Sequence, residues 1–430
     1  MQYTIKNARL IDGSIVDVVI KDGTITEIGN SLNVGEIVNA DKNLLIPGLV
    51  DLHTHLREPG REDSETVTTG SMAAAKGGFT AISAMANTFP VADTAGVVEQ
   101  VFRLGQEAGY CDVFPIGAVT QGLKGEALAE LGAMANSKAR VRMFSDDGKC
   151  VSDPLLMRRA LEYVKTFNGI IAQHAQDPAL TVGSQMNEGV VSSKLGLTGW
   201  PAVAEEAIIA RDILLAEHVG SRLHICHLTT AGGVDLLRFA KSRGINVTAE
   251  VTPHHLLLTD ELVSNYDPVF KVNPPLRTEQ DVMALRAGLA DGTIDIVGTD
   301  HAPHPTEDKD CEWQSAAFGM VGLETALSVV VKSMIETKLM SWSDLVDRMS
   351  IAPARIAGYS NHGRNIAVGA PANLTIIDTS SNWIVDRNRL ASKSKNTPFQ
   401  AMSLPARVLH TFFNGNLVLQ DSELVRGGSN

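Results

Sequence analysis

The chain has 430 residues, a mass of 46.0 kDa and 44% hydrophobic residues, which fits a large soluble barrel with additional layers better than one small core. Its formal net charge of −12 argues against nucleic acid or an anionic membrane as a partner. No apolar run approaches the roughly 18–20 residues of a membrane span, and the amino terminus lacks a signal-peptide pattern, so we expect a cytoplasmic protein. The four cysteines form no CxxC pair and are expected to be reduced.

Both ends of the chain are predicted to be rich in β-strands. Residues 1–48 alternate in the β manner around the turn signals Asp12-Gly13 and Asp22-Gly23. The same style returns near the carboxy terminus, where Asn414-Gly415 marks a hairpin. The last five residues, "RGGSN", are expected to be disordered.

The middle of the chain alternates short β-rich runs with longer helical patterns such as "PLLMRRALEYVKTF" and "AVAEEAIIARDILLAEHV". The β-rich runs are residues 46–53, 79–85, 112–119, 140–145, 169–174, 222–227, 246–251 and 294–300. Eight βα units within about 300 residues predict a (β/α)₈ barrel, in which catalytic groups lie at the carboxyl ends of the strands. A doubly wound open sheet is the alternative, but polar residues collect after the strands and favour the barrel.

Histidines gather at the ends of the predicted strands. Those at or just beyond a strand end are His53, His55, His174, His227, His254, His255, His301 and His304. His53 and His55 are two residues apart, so in a strand both side chains point to the barrel interior. Paired imidazoles of this kind bind metal, whereas two core histidines without a metal would leave buried ring nitrogens in need of partners. The fifth, sixth and eighth runs end on His174, His227 and Asp300.

This order of strand-end residues resembles the amidohydrolase superfamily. Seven segments are similar to the bacterial class I branch of the dihydroorotase family, namely "DLHTHLREPG", "MANT", "FSDDG", "TPHHLLLT", "KVNPPLR", "GTDHAPH" and "AAFGMVGLET". The similarity covers essentially the whole chain. It implies a (β/α)₈ TIM-type barrel over residues 49–355 and a small β-sandwich built from residues 1–48 and 356–430.

The resemblance also implies two Zn²⁺ ions per chain at the mouth of the barrel. The implied ligands are His53, His55 and Asp300 for the first ion and His174 and His227 for the second. One aspartate of the pair Asp146 and Asp147 would bridge the ions. Adjacent residues of a strand point oppositely, so parity alone does not choose between them. The resemblance favours Asp147, and Asp146 would then make local hydrogen bonds.

The implied reaction is the reversible hydrolysis of L-dihydroorotate to N-carbamoyl-L-aspartate in de novo pyrimidine (UMP) synthesis. A hydroxide shared by the ions would be the nucleophile, since metal binding lowers the pKa of water toward about 7. Asp300 would be the general acid and base, and ring closure would need it protonated and be favoured at lower pH. The implied substrate contacts are His55, Arg57, Asn87, Asn273, His304, Phe318 and Gly319. Arg57 supplies a bidentate fork for the substrate carboxylate.

Several neighbouring residues keep more than one interpretation. Residues 302–318 form a long polar connection that is either a lid or a static surface loop. His254 and His255 match the family pattern, and support of other site residues is one interpretation of them. Glu58, Glu62 and Glu65 are expected to face solvent. Taken alone, Arg57 also fits a surface ion pair, and the two asparagines fit turn residues.

Other functions are weighed against this one. Dihydropyrimidinase, hydantoinase and allantoinase of the same superfamily bridge their metals with a carboxylated lysine on strand 4, where this chain has "FSDDG". Arg57 also favours a substrate that carries a carboxylate. An inactive scaffold for aspartate carbamoyltransferase is disfavoured because every expected metal ligand is present, and the length leaves no room for a second catalytic domain. A homodimer is expected, and a complex with a separate aspartate carbamoyltransferase is compatible with the resemblance.

Overall fold

The structure is a computed structural model that describes residues 1–425; the carboxy-terminal "RGGSN", for which disorder is expected, lies outside the described residues. The strands are β1 Gln2–Arg9, β2 Ile15–Lys21, β3 Thr24–Gly29, β4 Glu36–Asn39, β5 Leu44–Pro47, β6 Leu49–Thr54, β7 Phe79–Ala84, β8 Asp112–Pro115, β9 Met143–Phe144, β10 Ile170–Gln173, β11 Met186–Asn187, β12 Gly199–Trp200, β13 Arg222–Ile225, β14 Val247–Val251, β15 Ile296–Val297, β16 Leu374–Ile384, β17 Ser403–Phe413, β18 Asn416–Gln420 and β19 Glu423–Leu424.

The α-helices are α1 Val67–Lys76, α2 Ala95–Ala108, α3 Leu131–Asn136, α4 Pro154–Lys165, α5 Val190–Leu195, α6 Val203–Val219, α7 Ala231–Ser242, α8 Glu279–Asp291, α9 Thr306–Lys309, α10 Ala326–Val330, α11 Trp342–Val346 and α12 Ala352–Ala357. Wider π-type turns follow α10 and α11 at Val331–Ile335 and Asp347–Ile351. Within residues 1–425, no helix combines the length and apolar character needed to cross a membrane.

Eight parallel strands close into a barrel. They form two ladders, β6-β7-β8 and β9-β10-β13-β14-β15. The ladders are joined by parallel bridges from Gly117 to Phe144 and from Thr54 to His301. Each strand overlaps its predicted run, so the (β/α)₈ prediction is confirmed. The bridge from Thr54 to His301 joins the first strand to the end of the eighth, which an open sheet would not show.

The barrel helices form where the sequence has the expected starting signals and periodicity. Helix α4 has Pro154 in its first turn and Asp153 as its N-cap, whose side chain accepts from the Leu156 N–H at 2.7 Å. Its buried residues, spaced three or four apart, are Met157, Ala160, Leu161 and Val164. This apolar stripe packs the helix against the barrel. Helix α6 forms within the second helical pattern that the sequence predicts.

Strands from both termini form one β domain. They are hydrogen-bonded in the order β19-β18-β17-β16-β5-β1-β2-β3, with β4 beside β1. Strand β5 runs antiparallel to β16, with Pro47 opposite Leu374 and Leu44 opposite Ile377. The chain passes from β5 into the first barrel strand β6 through Gly48, so this sheet fixes where the barrel begins.

Candidate active site

Six predicted metal ligands come together at the carboxyl ends of the barrel strands. They are His53 and His55 at β6, Asp147 after β9, His174 after β10, His227 after β13 and Asp300 after β15. Each of these residues is at most 4% exposed. Parallel strands end on one face of a barrel, which is why residues far apart in the chain become neighbours here.

The Asp147 carboxylate lies at the centre of this group. Its Oδ2 atom is 3.4 Å from His53 Nε2 and 3.2 Å from His55 Nε2. Its Oδ1 atom is 3.3 Å from His174 Nδ1 and 3.1 Å from His227 Nε2. Each oxygen therefore faces one pair of histidines, which is the arrangement that a carboxylate shared by two metal ions requires.

The neighbouring aspartate has a different environment, so the structure decides what strand parity left open. Asp146 accepts hydrogen bonds from the backbone N–H groups of Val119 at 2.8 Å and Thr120 at 3.0 Å. These are local bonds, and they hold Asp146 away from the histidines that surround Asp147. The Lys149 side chain is exposed, so it lies outside this buried group.

Asp300 completes the His53 and His55 side of the group. Its Oδ1 atom is 3.1 Å from His55 Nε2 and 3.6 Å from His53 Nε2. Burial raises the pKa of Asp300, but the hydrogen bond to His55 and the charge of His53 outweigh it and bring the pKa to about 2. The carboxylate is therefore charged at neutral pH and able to accept a proton. Its φ of 47° is a strained backbone value for a residue other than glycine, a feature that concentrates at functional sites.

A buried glutamate that the sequence analysis missed orients His53. Glu250 on β14 accepts a hydrogen bond from His53 Nδ1–H, and its Oε2 atom lies 3.2 Å from His224 Nε2. It also accepts the backbone N–H of His227 at 3.2 Å. Gly298 makes room for this carboxylate, since a Cβ there would lie 2.5 Å from Glu250 Oε2. The signal in the sequence is a charged residue inside a buried strand.

The residues present fit a metal centre. His53, His55 and Asp147 offer ligand atoms that all lie within 4.8 Å of one another, and Asp147, His174 and His227 do the same. Because His53 Nδ1–H donates to Glu250, Nε2 carries a lone pair that can bind a cation, and this buried atom has no hydrogen-bond partner within residues 1–425. A bound cation satisfies such an atom, and imidazole and carboxylate ligands suit zinc and similar ions.

Gln176, a second residue missed by the sequence analysis, orients His174. Its Oε1 atom accepts from His174 Nε2–H at 2.8 Å, which leaves His174 Nδ1 directed toward Asp147. The same oxygen accepts from Asn273 Nδ2 at 3.4 Å. Asn273 Oδ1 is buried and has no hydrogen-bond partner in the described part of the chain, so it is available to a ligand N–H.

Arg57 and His304 form a cationic corner beside the metal ligands. Arg57 Nε donates to the Pro303 carbonyl at 3.1 Å, and its Nη2 lies 3.3 Å from His304 Nε2. Burial lowers the pKa of Arg57 to about 10, so it stays charged at neutral pH. Burial and the Arg57 charge lower the pKa of His304 to about 3 and keep it neutral. Arg57 has no carboxylate partner within residues 1–425, which disagrees with a surface ion pair and suits an anionic ligand.

The remaining predicted contacts surround this corner. Asn87 Oδ1 accepts from His55 Nδ1–H at 2.8 Å, which leaves the Asn87 amide N–H groups for a ligand. The Phe318 carbonyl accepts from His304 Nε2–H at 2.8 Å, and Gly319 follows directly. Asn87 therefore contacts a predicted metal ligand directly, and Phe318 is connected to Arg57 through His304.

His254 and His255 are buried next to the site, and the two rings differ in their contacts. His255 Nδ1 lies 2.7 Å from Thr252 Oγ1, and its Nε2 lies 3.2 Å from the Pro274 carbonyl. His255 thereby supports the segment that carries Asn273. His254 Nε2 makes no hydrogen bond within residues 1–425, and burial lowers the pKa of His254 to about 4.

The expectation that Glu65 faces solvent is wrong. Its side chain is fully buried and lies 3.3 Å from His301 Nε2, and it accepts hydrogen bonds from Ser392 Oγ and from the Lys393 N–H at 3.0 Å. The surroundings are polar enough to hold the buried charge, because four donors converge on it, the three just named and the Thr69 hydroxyl. His301 therefore points away from the metal ligands, although it follows Asp300 directly.

A (β/α)₈ barrel with imidazoles and carboxylates at the ends of its first, fourth, fifth, sixth and eighth strands defines the metal-dependent amidohydrolases. Residues 42–232 match the family model described as Dihydro-orotase-like. The dihydroorotase of Streptomyces coelicolor is 67% identical over 423 residues, 98% of this chain and 99% of that protein. The dihydroorotase of Leifsonia xyli is 63% identical over 98% of this chain and 97% of that protein.

Among solved structures, the L-hydantoinase (dihydropyrimidinase) of Arthrobacter aurescens superposes with a TM-score of 0.88 at 26% identity, covering 98% of this chain and 97% of that one. This likeness confirms the amidohydrolase fold. The much higher identity to full-length dihydroorotases decides the family. The chain belongs to the dihydroorotase family.

Proposed function

We propose that the chain is a dihydroorotase that interconverts L-dihydroorotate and N-carbamoyl-L-aspartate in de novo pyrimidine synthesis, with two Zn²⁺ ions per chain. The observation that carries this proposal is 63–67% identity to dihydroorotases over 98% of the chain. Hydantoinases share the fold, so the fold by itself does not select the substrate. Comparing turnover of dihydroorotate with that of dihydrouracil and allantoin tests the choice, and a preference for either alternative would overturn it.

The ligand geometry supports a division of the six residues between two ions. His53, His55 and Asp300 would hold one ion, His174 and His227 the other, and Asp147 would bridge them. When bound, the ions supply Lewis acidity, which lowers the pKa of water and polarises an amide carbonyl. Glu250 and Gln176 fix the imidazole tautomers, because each accepts a hydrogen bond from the ring N–H that faces away from the centre.

The cationic corner supports recognition of the substrate carboxylate. Arg57 offers a charged planar fork, and Asn87 adds amide N–H groups. Asn273 Oδ1 would accept an N–H of the ring, and the backbone around Phe318 and Gly319 would close the other side. Held in this way, the scissile amide of the ring would face the metal ligands while its carboxylate points away from them.

Asp300 is the group we assign to proton transfer. It is charged, buried and at the end of the eighth strand, next to the ligands of the first ion. In hydrolysis it would take the proton of the attacking water and deliver it to the leaving ring nitrogen. Ring closure uses the same group in the opposite direction, starting from the protonated carboxyl.

Domain limits and assembly are further parts of the proposal. We propose residues 49–355 as the catalytic barrel and residues 1–48 and 356–430 as the two parts of the β-sandwich, which the pairing of β5 with β16 supports. The family resemblance supports a cytoplasmic location and a homodimer. It is also compatible with a complex between this chain and a separate aspartate carbamoyltransferase. Sedimentation of the purified protein, alone and with that enzyme, tests both assemblies.

Metal removal should abolish activity. The purified protein should contain close to two Zn²⁺ per chain and hydrolyse L-dihydroorotate, because two of the ligand clusters at the site share the Asp147 carboxylate. Elemental analysis and a chelation series measured together with turnover check this. Full turnover by a rigorously metal-free sample would falsify the proposed chemistry.

Glu250→Gln should weaken the hold on metal. The amide keeps the shape and one acceptor oxygen but loses the charge that supports His53, and loss of such a supporting group typically costs about 10- to 100-fold in metal affinity or activity. The measurement is the rate at which a chelator removes zinc from the holoenzyme. Glu205→Gln is the matched control, because Glu205 is equally buried but bonds to Thr229 and Thr230 instead of a ligand. Equal zinc loss from both variants would contradict the assigned role.

Arg57→Ala should mainly impair substrate binding. Loss of a charge-assisted hydrogen bond is worth roughly 1.5–3 kcal/mol, which lowers kcat/KM for dihydroorotate by about 10- to 150-fold. The neighbouring Arg61 is half-exposed and paired with Asp63 and Asp308, so Arg61→Ala should leave kcat/KM nearly unchanged. If both alanine variants behave like the wild type, Arg57 does not bind the substrate.

A further inference from the structure

A segment of the carboxy-terminal β domain reaches the mouth of the barrel. Residues 390–397 lie between β16 and β17, outside both strands. The Ala391 N–H donates to Glu324 at 2.8 Å, and Ser394 Oγ donates to the Ser64 carbonyl at 2.6 Å. Together with the bonds from Ser392 and Lys393 to Glu65, these contacts fix the segment against the barrel.

Asn396 in this segment uses its whole side-chain amide on the barrel. Its Oδ1 atom accepts from the backbone N–H of His304 at 3.2 Å. Its Nδ2 group donates to the carbonyls of Ala302 at 3.0 Å and Gly319 at 3.2 Å. The Asn396 carbonyl also accepts from the Val321 N–H at 3.2 Å. Four bonds from one residue therefore hold two separate stretches of the barrel.

These two stretches are the ends of the long connection 302–318. His304 stands near its start, and Phe318 and Gly319 stand at its end. Gly319 has φ of 144°, and a Cβ there would lie 2.8 Å from His304 Nε2, so the two ends approach each other with little free space. A small displacement of either end would change the position of His304 relative to Arg57.

We propose that Asn396 is a positioning residue for the substrate carboxylate site. From the β domain it fixes the His304 backbone relative to the Phe318–Gly319 backbone. It is not itself one of the groups that bind the substrate. The expected effect on KM rests on the proposed function. The four hydrogen bonds of Asn396, which we call the Asn396 clamp, can be tested separately. Without the Asn396 side chain, the Ala302 and Gly319 carbonyls and the His304 N–H lose their hydrogen-bond partners. Leaving buried polar groups unpaired costs free energy, so residues 302–318 are expected to rearrange.

Asn396→Ala, compared with Asn373→Ala, tests the inference. Asn373 lies in the same β domain, is similarly buried (4% exposed against 7% for Asn396), and also bonds through both ends of its amide, to Asn361 and Asn414. We expect the Asn396 variant to raise KM for dihydroorotate roughly 10-fold, with a much smaller change in kcat. The Asn373 variant should lose thermal stability but keep the wild-type KM.

Hydrogen exchange of the purified proteins measures the clamp without reference to substrate. Peptides covering residues 302–321 should exchange faster in Asn396→Ala than in wild type, and Asn373→Ala should leave them unchanged. Wild-type exchange in these peptides of the Asn396 variant, or a KM equal to that of the Asn373 variant, would overturn the inference. If the wild type failed to turn over dihydroorotate, the proposed function would fall, while the exchange result would still decide the clamp.

Asn396→Asp provides a second variant if the alanine variant does not fold. The carboxylate fills the same space and can still accept from the His304 N–H, but it cannot donate to the Ala302 and Gly319 carbonyls. We expect the faster exchange to be concentrated around Gly319 and KM to rise in the same direction. Exchange and KM both equal to wild type in this variant would show that the two donated bonds hold nothing in place.

Discussion

Asp300→Asn should lower kcat for L-dihydroorotate by about 10²- to 10⁴-fold while the substrate still binds. Asparagine has the same shape but cannot accept or deliver a proton at this position. The carboxylate lies 3.1 Å from His55 Nε2 on the side where the first ion would bind, so weaker metal binding adds to the loss. Steady-state kinetics in both directions, with zinc content determined on the same samples, measures the effect and separates its two causes.

Asp146→Asn is the matched control for this variant. It is the same substitution at a buried strand end, but the Asp146 side chain bonds to Val119 and Thr120 and not to a metal ligand. The asparagine oxygen can still accept from these N–H groups, so the control should lose some stability and keep most of its activity. An Asp300→Asn enzyme with more than half of the wild-type rate would rule out proton transfer by Asp300.

Asp147→Ala should release at least one of the two ions and lower turnover by more than about 100-fold, since metal assistance contributes several kcal/mol to such reactions. The reason is geometric. The two carboxylate oxygens stand 3.1–3.4 Å from four imidazole nitrogens, two for each oxygen. Alanine removes the one group that both clusters share. Zinc stoichiometry by elemental analysis, measured together with the rate, checks the prediction.

Lys149→Ala should keep both ions and nearly full activity, because the Lys149 side chain is exposed. The same reasoning predicts that the metal centre assembles in buffer free of bicarbonate, since an aspartate bridge is anionic without added carbon dioxide. A carboxylated lysine found between the ions contradicts this assignment. So does an Asp147→Ala enzyme that retains both ions at the wild-type rate.

The sequence by itself determined the barrel and placed most of the candidate metal ligands at one of its ends. Eight β-rich runs alternating with helical patterns are sufficient to predict a (β/α)₈ barrel, because strand and helix periodicities are local properties of the chain. His53, His55, His174, His227 and Asp300 could be placed together from the sequence, because residues at the carboxyl ends of parallel barrel strands share one face. The proposal that Arg57 binds the substrate rests on the family resemblance and not on the sequence around Arg57.

Only the tertiary structure decided which partners these residues have. Parity left Asp146 and Asp147 equivalent, and the distinction came from the Thr120 backbone, which holds one of them away from the histidines. Glu65 sits among surface-like charged residues in sequence but is buried, because His301 and the segment 390–397 converge on it.

The contacts of Glu250 and Asn396 could not be predicted from the sequence either, because their partners lie far away along the chain. Glu250 stands out in sequence only as a charge in a buried strand, and its contact with His53 depends on how β14 packs near β6 inside the barrel. Asn396 occurs in the polar stretch "SKSKNTPF", where nothing local distinguishes it from a loop residue. Its bonds to Ala302, His304 and Gly319 exist because the β domain docks on the barrel mouth, and docking depends on long-range contacts that no local pattern encodes.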